Sequence, residues 1–269
     1  MTYAAGIQMS SGPNVGANLI EAGRLIDRAV QAGARLIVLP ENFASMPVKE
    51  IDRLEVAEQE GVGPIQDFLA SKARQHRIWI VGGTLPLKVD RDSKTTASSL
   101  LFNDRGDRVA RYDKIHLFDV QLENGEKYNE SGYVQAGSQI VVADTPFGRL
   151  GMSICYDLRF PELYRGLLDQ GAEILVVPSA FTEITGRAHW EVLVRARAIE
   201  NLAYVVAPGQ SGYHINGRET HGNSMIVSPW GIILDRLPRG SGFVIAELDR
   251  KRLEANRTSL PSIFHRQFR

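Results

Sequence analysis

Three side chains in this 269-residue chain have types that can do nucleophilic and acid–base work together: the Cys155 thiol, the Glu41 carboxylate and the Lys114 ammonium. Cys155, the only cysteine, ends the run Leu150-Gly-Met-Ser-Ile-Cys155, read as a central strand, and precedes Tyr156-Asp-Leu-Arg-Phe-Pro161, whose proline suits a first helical turn. The carboxyl end of a strand, just before a helix, is where an α/β fold presents groups to a ligand crevice, and nearby backbone N–H groups favour thiolate. A lone cysteine is also commonly a small buried hydrophobe. Glu41 follows an apolar run and Pro40, a place where burial gains a charge nothing, so it is either solvated or working. Lys114, in Arg111-Tyr-Asp-Lys-Ile-His-Leu-Phe118, reads as a surface lysine when taken alone.

The elements that must position these residues alternate between two kinds. Leu36 to Leu39, Ile78 to Val81, Ile174 to Val177 and Ala203 to Val206 are short, almost wholly apolar and bounded by Gly or Pro, as suits strands buried on both faces. Val15, Leu19, Ala22, Ile26 and Ala29 recur at spacings of three and four, which predicts one face of a helix ending at Gly33. The chain also resembles itself. Residues 31–43 line up with 169–181, and Thr95 to Arg111 matches Thr220 to Arg236 without a gap, each of the latter pair reading as a hairpin about a turn, Asn103 to Gly106 or Ser228 to Gly231. Each half reads strand, helix, strand, helix, strand, hairpin.

Two hairpin-bearing halves fit a single doubly wound sheet poorly. The expectation is an α/β protein built as a four-layer α-β-β-α sandwich with an internal pseudo-twofold duplication, which buries both sheets with less strain on the connections. No linker separates the halves, so residues 1–269 read as one domain. Glu41 then leaves the third strand–helix unit of the first half, Lys114 that half's hairpin and Cys155 the first strand of the second, and packing about a pseudo-twofold axis can bring all three to one end. The tail 257–269, with Pro261, Ile263, Phe264 and Phe268 among basic residues, is too apolar for a free end and is expected on a partner subunit.

Composition removes other classes. With 31 basic and 31 acidic side chains there is no basic excess to neutralise nucleic-acid phosphates or to attract a membrane surface. One thiol rules out an intrachain disulfide and any zinc site needing two cysteines. The start of the chain lacks a signal peptide's basic and apolar regions, and no apolar run approaches the ~18 residues of a membrane span. The expected location is the cytoplasm. No phosphate loop, Gly-x-Ser-x-Gly elbow or His-Glu-x-x-His is present, so neither cofactor nor metal is implied.

The stretches Leu39-Pro-Glu41-Asn-Phe, Tyr112-Asp-Lys114-Ile-His-Leu-Phe and Gly151-Met-Ser-Ile-Cys155-Tyr-Asp-Leu-Arg-Phe-Pro-Glu resemble, in order and spacing, the signatures of the nitrilase superfamily of carbon–nitrogen hydrolases. The likeness covers nearly the whole chain and implies the same sandwich, with a homodimer or larger homo-oligomer. Nitrilases proper usually carry Cys-Trp-Glu at the nucleophile, whereas Cys155-Tyr156-Asp157 points to an amidase. Pro178-Ser-Ala-Phe181, Thr185 to Glu191 and Arg195 to Glu200 are most similar to the branch acting on deaminated glutathione, beside ω-amidases acting on α-ketoglutaramate and α-ketosuccinamate. N-carbamoyl hydrolysis and a non-catalytic scaffold of the same fold are the other readings. Arg187 stands where better-known eukaryotic members of both branches tend to have Pro.

The resemblance implies hydrolysis of a small carboxylate-bearing linear amide, with release of ammonia, through a cysteinyl thioester. Cys155 is the nucleophile, Glu41 the general base and Lys114, with the backbone N–H of Tyr156, the oxyanion donor. Glu130, sixteen residues after Lys114, stands where the family places a second glutamate that holds the lysine and the substrate. Phe181 is expected against the substrate, and Arg187 either grips its carboxylate or is an exposed helix-start arginine. A catalytic role for His116 or His189 is not needed once Glu41 supplies the base. The helix expected from about Arg187 to Asn201 is apolar around most of its circumference, which marks it for a subunit interface as well as the core.

Overall fold

The apolar runs form the centres of two sheets. A computed structural model of the chain describes residues 2–89, 94–122 and 125–268. The first half contains β1 (Tyr3–Gln8), α1 (Val15–Gln31), β2 (Ala34–Val38), α2 (Pro64–His76), β3 (Trp79–Val81), β4 (Leu85–Lys88) and the hairpin β5 (Thr95–Phe102) and β6 (Arg108–Asp113). A small ribbon follows, β7 (Asp119–Gln121) with β8 (Lys127–Asn129). The second half runs β9 (Val142–Thr145), β10 (Gly148–Met152), α3 (Pro161–Asp169), β11 (Ile174–Val176), α4 (Glu183–Asn201) and β12 (Tyr204–Ala207). A second ribbon, β13 (Ser211–Tyr213) with β14 (Glu219–His221), leads to the hairpin β15 (Ser224–Val227) and β16 (Ile233–Leu237), then β17 (Gly242–Glu247) and α5 (Arg250–Ser259).

In the first sheet β17, β1, β2, β3 and β5 lie side by side, with β4 and β6 also paired to β5; in the second the order is β16, β15, β12, β11, β10, β9. Each therefore has a parallel core of three strands, flanked by one antiparallel strand on one side and a hairpin on the other. The duplication extends to register. Leu101 faces Ala110 as Ile226 faces Asp235, and the ladder slips one step later at the same place in both hairpins. Helices α2 and α4 both end on a left-handed residue, Arg77 and Leu202, at matching positions.

Alternation along the strands makes the layers. Ala5, Ile7, Ile37, Leu39, Ile80 and Leu100 pack under α1 and α2 with Leu25, Ile26 and Leu69. Their neighbours Ala4, Leu36, Val38, Val81 and Leu101 turn to the other face and join Met152, Val176, Val205 and Ile226 of the second sheet. The sandwich is thus α-β-β-α, with α3 and α4 outermost on the second side. Each fully buried Leu or Ile contributes roughly 1.5–3 kcal/mol, so a charge at Val38 would forfeit that and add an unpaired buried ion.

Two boundaries differ from expectation. Helix α4 begins at Glu183, because the Thr182 hydroxyl caps the Thr185 N–H, and not near Arg187. The tail is tied at least in part to its own chain: Arg257 donates to the carbonyls of Leu202 and Ala172, Ile263 is buried and Arg266 pairs with Asp169 at 2.7 Å. Phe264 and Phe268 remain exposed, and Arg269 lies outside the described residues. Among the described residues no helix is long and apolar enough to cross a membrane.

Candidate active site

Glu41, Lys114 and Cys155 meet at the carboxyl ends of the parallel strands. Glu41 follows β2, the second strand of its half and not the third, through Leu39-Pro40. Gly83 passes so close behind that a Cβ there, already at φ +52°, would collide with the Pro40 carbonyl. Lys114 directly follows β6, and Gly137 crowds the Asp113 carbonyl beside it in the same way. Cys155 does not end a strand: β10 stops at Met152, and Cys155 opens a 3-10 turn, Cys155–Arg159, with its backbone at φ +46°. A non-glycine residue is rarely held there without surrounding support, and such positions cluster at functional sites. Part of that support is the Cys155 N–H bond to the Pro178 carbonyl, 2.9 Å.

Lys114 Nζ donates to Glu41 Oε1 at 2.8 Å and to both oxygens of Glu130 at 3.0 and 2.9 Å. Glu130 also accepts the Phe118 N–H, and the Cys155 thiol stands beside Glu41, near enough that each shifts the other's titration. The lysine is 2% exposed and Glu41 5%, so these charges compensate one another with little help from water. Burial alone would raise the Glu41 carboxyl, but the charge and hydrogen bond of Lys114 outweigh it and hold it below the usual carboxylate range. For Lys114 burial acts downward, and the flanking glutamates more than reverse it, keeping the ammonium charged far above neutral pH. Burial and the neighbouring Glu41 carboxylate push the Cys155 thiol up, against the weaker pull of Lys114 and the Ala180 N–H. The resting site is therefore a neutral thiol beside an ionised carboxylate.

These groups border a cavity of about 560 Å³. The Tyr156 N–H, in the first turn after Cys155, has no hydrogen-bond acceptor among the described residues, as expected where a 3-10 turn begins. Phe181 lines the cavity, its ring 4.9 Å from Trp190. Arg187 does not reach it. Its side chain is 76% exposed and pairs with Glu183 one turn earlier on α4, so the exposed-arginine alternative holds. Besides Arg53, which pairs with Glu50, two arginines that sequence reasoning missed line the cavity instead. Arg159 sits over the Phe181 and Tyr156 rings, and Arg218 sits over Tyr128, donates to the Ala180 carbonyl and keeps a buried Nε without a partner. Neither has a carboxylate partner among the described residues. Arg159 could have been found from its place four residues after Cys155; Arg218 lies in the loop of the β13–β14 ribbon, with no local signal. His116 stacks on Phe160 and bonds Asp157, and does not line the cavity.

Fold and site together make this an enzyme that hydrolyses carbon–nitrogen bonds other than peptide bonds. The chain belongs to the carbon–nitrogen hydrolase family, whose model matches residues 3–258. It is 46% identical over 268 residues to a deaminated glutathione amidase of Synechocystis, covering 98% of each chain, and 42% identical to one of Yersinia enterocolitica, covering 97% of this chain and 92% of that one. Among solved structures it resembles Saccharomyces cerevisiae Nit3, a member of branch 10 of the nitrilase superfamily, with a TM-score of 0.89 and 32% identity over 99% of this chain and 97% of the other.

Proposed function

We propose that the protein is a thiol amidase acting on deaminated glutathione or a close relative of it, with Cys155 as nucleophile. The observation that carries this reading is the hydrogen-bonded Glu41–Lys114–Glu130 set, with the Cys155 thiol beside Glu41, on a cavity holding two guanidinium groups without carboxylate partners. Glu41 takes the thiol proton as sulfur attacks the amide carbonyl, and Lys114 with the Tyr156 N–H stabilises the oxyanion. One such donor contributes about 3 kcal/mol. As the C–N bond breaks, Glu41 returns the proton to the departing nitrogen, leaving a thioester. Water then attacks, Glu41 taking its proton and passing it to the sulfur, so that acid and free enzyme are regenerated. Glu130 holds Lys114 through both transfers.

The leaving group follows from the substrate. A primary amide releases ammonia, as the sequence-based expectation has it. Deaminated glutathione has lost its free amino group, and its remaining linkages are substituted amides, so an amine fragment departs. Arg159 and Arg218 replace Arg187 as the residues that grip substrate carboxylates, through paired N–H donors.

The 269 residues act as one catalytic domain, in the cytoplasm, where a working thiol stays reduced. The assembly is a homodimer or larger homo-oligomer. Val192 and Ile199 leave an apolar strip exposed on α4, and Trp230 and Ile232, either side of the Gly231 that Ile199 and Arg195 touch, extend it.

The test is a panel of deaminated glutathione, α-ketoglutaramate and an N-carbamoyl amino acid, with ammonia and free amine both followed and Cys155→Ala as control. Deaminated glutathione should give the highest kcat/KM. A preference for α-ketoglutaramate would make the enzyme an ω-amidase, and no turnover of any substrate would indicate a scaffold.

A further inference from the structure

Asp157 is fully buried, yet it touches neither the cavity nor the Glu41–Lys114 pair. Four donors converge on its carboxylate. Oδ2 accepts the Ile154 N–H at 2.9 Å and the Tyr112 hydroxyl at 2.7 Å, while Oδ1 accepts the His116 N–H at 3.0 Å and faces His116 Nδ1 at 2.7 Å. Only an acceptor with several lone pairs meets that demand, which a carboxylate does and a carboxamide does not. Burial and the adjacent carboxylate push the Tyr112 phenol far up, so it remains a donor.

The donors come from two places. Ile154 immediately precedes Cys155, whose backbone is held at φ +46°, and Tyr112 and His116 stand two residues either side of Lys114. The first group belongs to the turn after the second sheet, the second to the strand end of the first sheet. We propose that Asp157 is a positioning residue that fixes the nucleophile's turn against the Lys114 strand end, with Tyr112 and His116 as its arms. Without it the turn can relax, and the thiol shifts relative to the oxyanion donors.

The test compares Tyr112→Phe, His116→Phe, His116→Asn and Asp157→Asn in the full chain, each assayed well below its own melting temperature. The readouts are kcat and KM on deaminated glutathione and the rate at which chloroacetamide alkylates Cys155. Misplacement of reacting groups by about an ångström costs up to about 100-fold. Tyr112→Phe and His116→Phe should therefore lower kcat and alkylation together by roughly 10- to 100-fold with KM nearly unchanged. His116→Asn, whose side-chain N–H can stand where Nδ1–H stood, should recover most of the loss. If the phenylalanine variants melt earlier but keep wild-type kcat and alkylation, or if KM alone rises, the proposal fails. Should Asp157→Asn not fold, those single-donor variants decide by the same criteria. The inference rests on Cys155 and Lys114 being the reacting pair. An active Cys155→Ala would sink that reading, whereas an inactive Cys155→Ala beside fully active Tyr112→Phe and His116→Phe would sink the clamp alone.

Discussion

The duplication gives the sandwich two related sets of strand ends, and they have diverged in charge more than in backbone. Strand register and the repeat match Cys155 with Met9, Glu41 with Ser179 and Lys114 with Arg239. On the reactive side, three ionisable groups and Glu130 share one buried network. On the other, Met9 is buried and bridged to Gln210, Ser179 is closed against Val177 and Gly209, and Arg239, its side chain 64% exposed, makes only surface ion pairs with Glu183 and Glu219. The sheets alone thus do not make a reaction centre. A buried ammonium is tolerable only where two carboxylates surround it, and that mutual dependence makes the reactive side a unit whose members cannot be removed singly without cost.

The largest effect should come from breaking that unit at its cation. Lys114→Met leaves Glu41 and Glu130 buried without their partner and should destabilise the fold by about 3–5 kcal/mol, with turnover lost; a melt and an amine-release assay would show both. Glu41→Gln keeps the shape but removes the base, and should lower kcat by about 10³-fold or more with the fold intact. Glu130→Gln should retain fold and KM while losing most turnover, on the order of 10²-fold; near-full activity would remove Glu130 from the mechanism. Acid should act late. Because the folded Glu41 carboxyl is held below its unfolded value of about 4.3, its stabilising contribution is complete above that pH and is lost only as pH falls through the lower folded value, which an acid titration followed by circular dichroism can locate. The smallest effects belong to the other set of strand ends. Ser179→Ala should cost about 1 kcal/mol through its bond to Val177, and Arg239→Ala no more than about 0.5 kcal/mol, with kcat little changed in either. Loss of turnover in these two would overturn the contrast.

Much of this was legible in the sequence because it depends on local pattern. The apolar runs became strands within a residue or two, α1 kept its predicted face, and the paired turns Asn103 to Gly106 and Ser228 to Gly231 gave two hairpins in the same register. Glu41, Lys114 and Cys155 were nameable from motifs and duplication together, and Glu130 only through the family resemblance. What failed depended on tertiary approach. Arg187 shares the α4 surface with Glu183, and only the Thr182 cap fixes where that helix begins and hence where its arginine points. Arg218 reaches the cavity because the β13–β14 ribbon folds over it, and Asn216 anchors that ribbon to the Pro47 carbonyl, a contact 169 residues apart. The left-handed backbone of Cys155 has no glycine to announce it.

The central claim is that a neutral thiol is activated by Glu41 at the moment of attack. The most direct measurement is the pH dependence of Cys155 alkylation by chloroacetamide in the wild type and in Glu41→Gln. The account predicts a wild-type rate that is level through the region near 8.5 where a free cysteine titrates and falls only in acid below the usual carboxylate range, with Glu41→Gln slow throughout that plateau. A wild-type rate that climbs through about 8.5 and is matched by Glu41→Gln would contradict it.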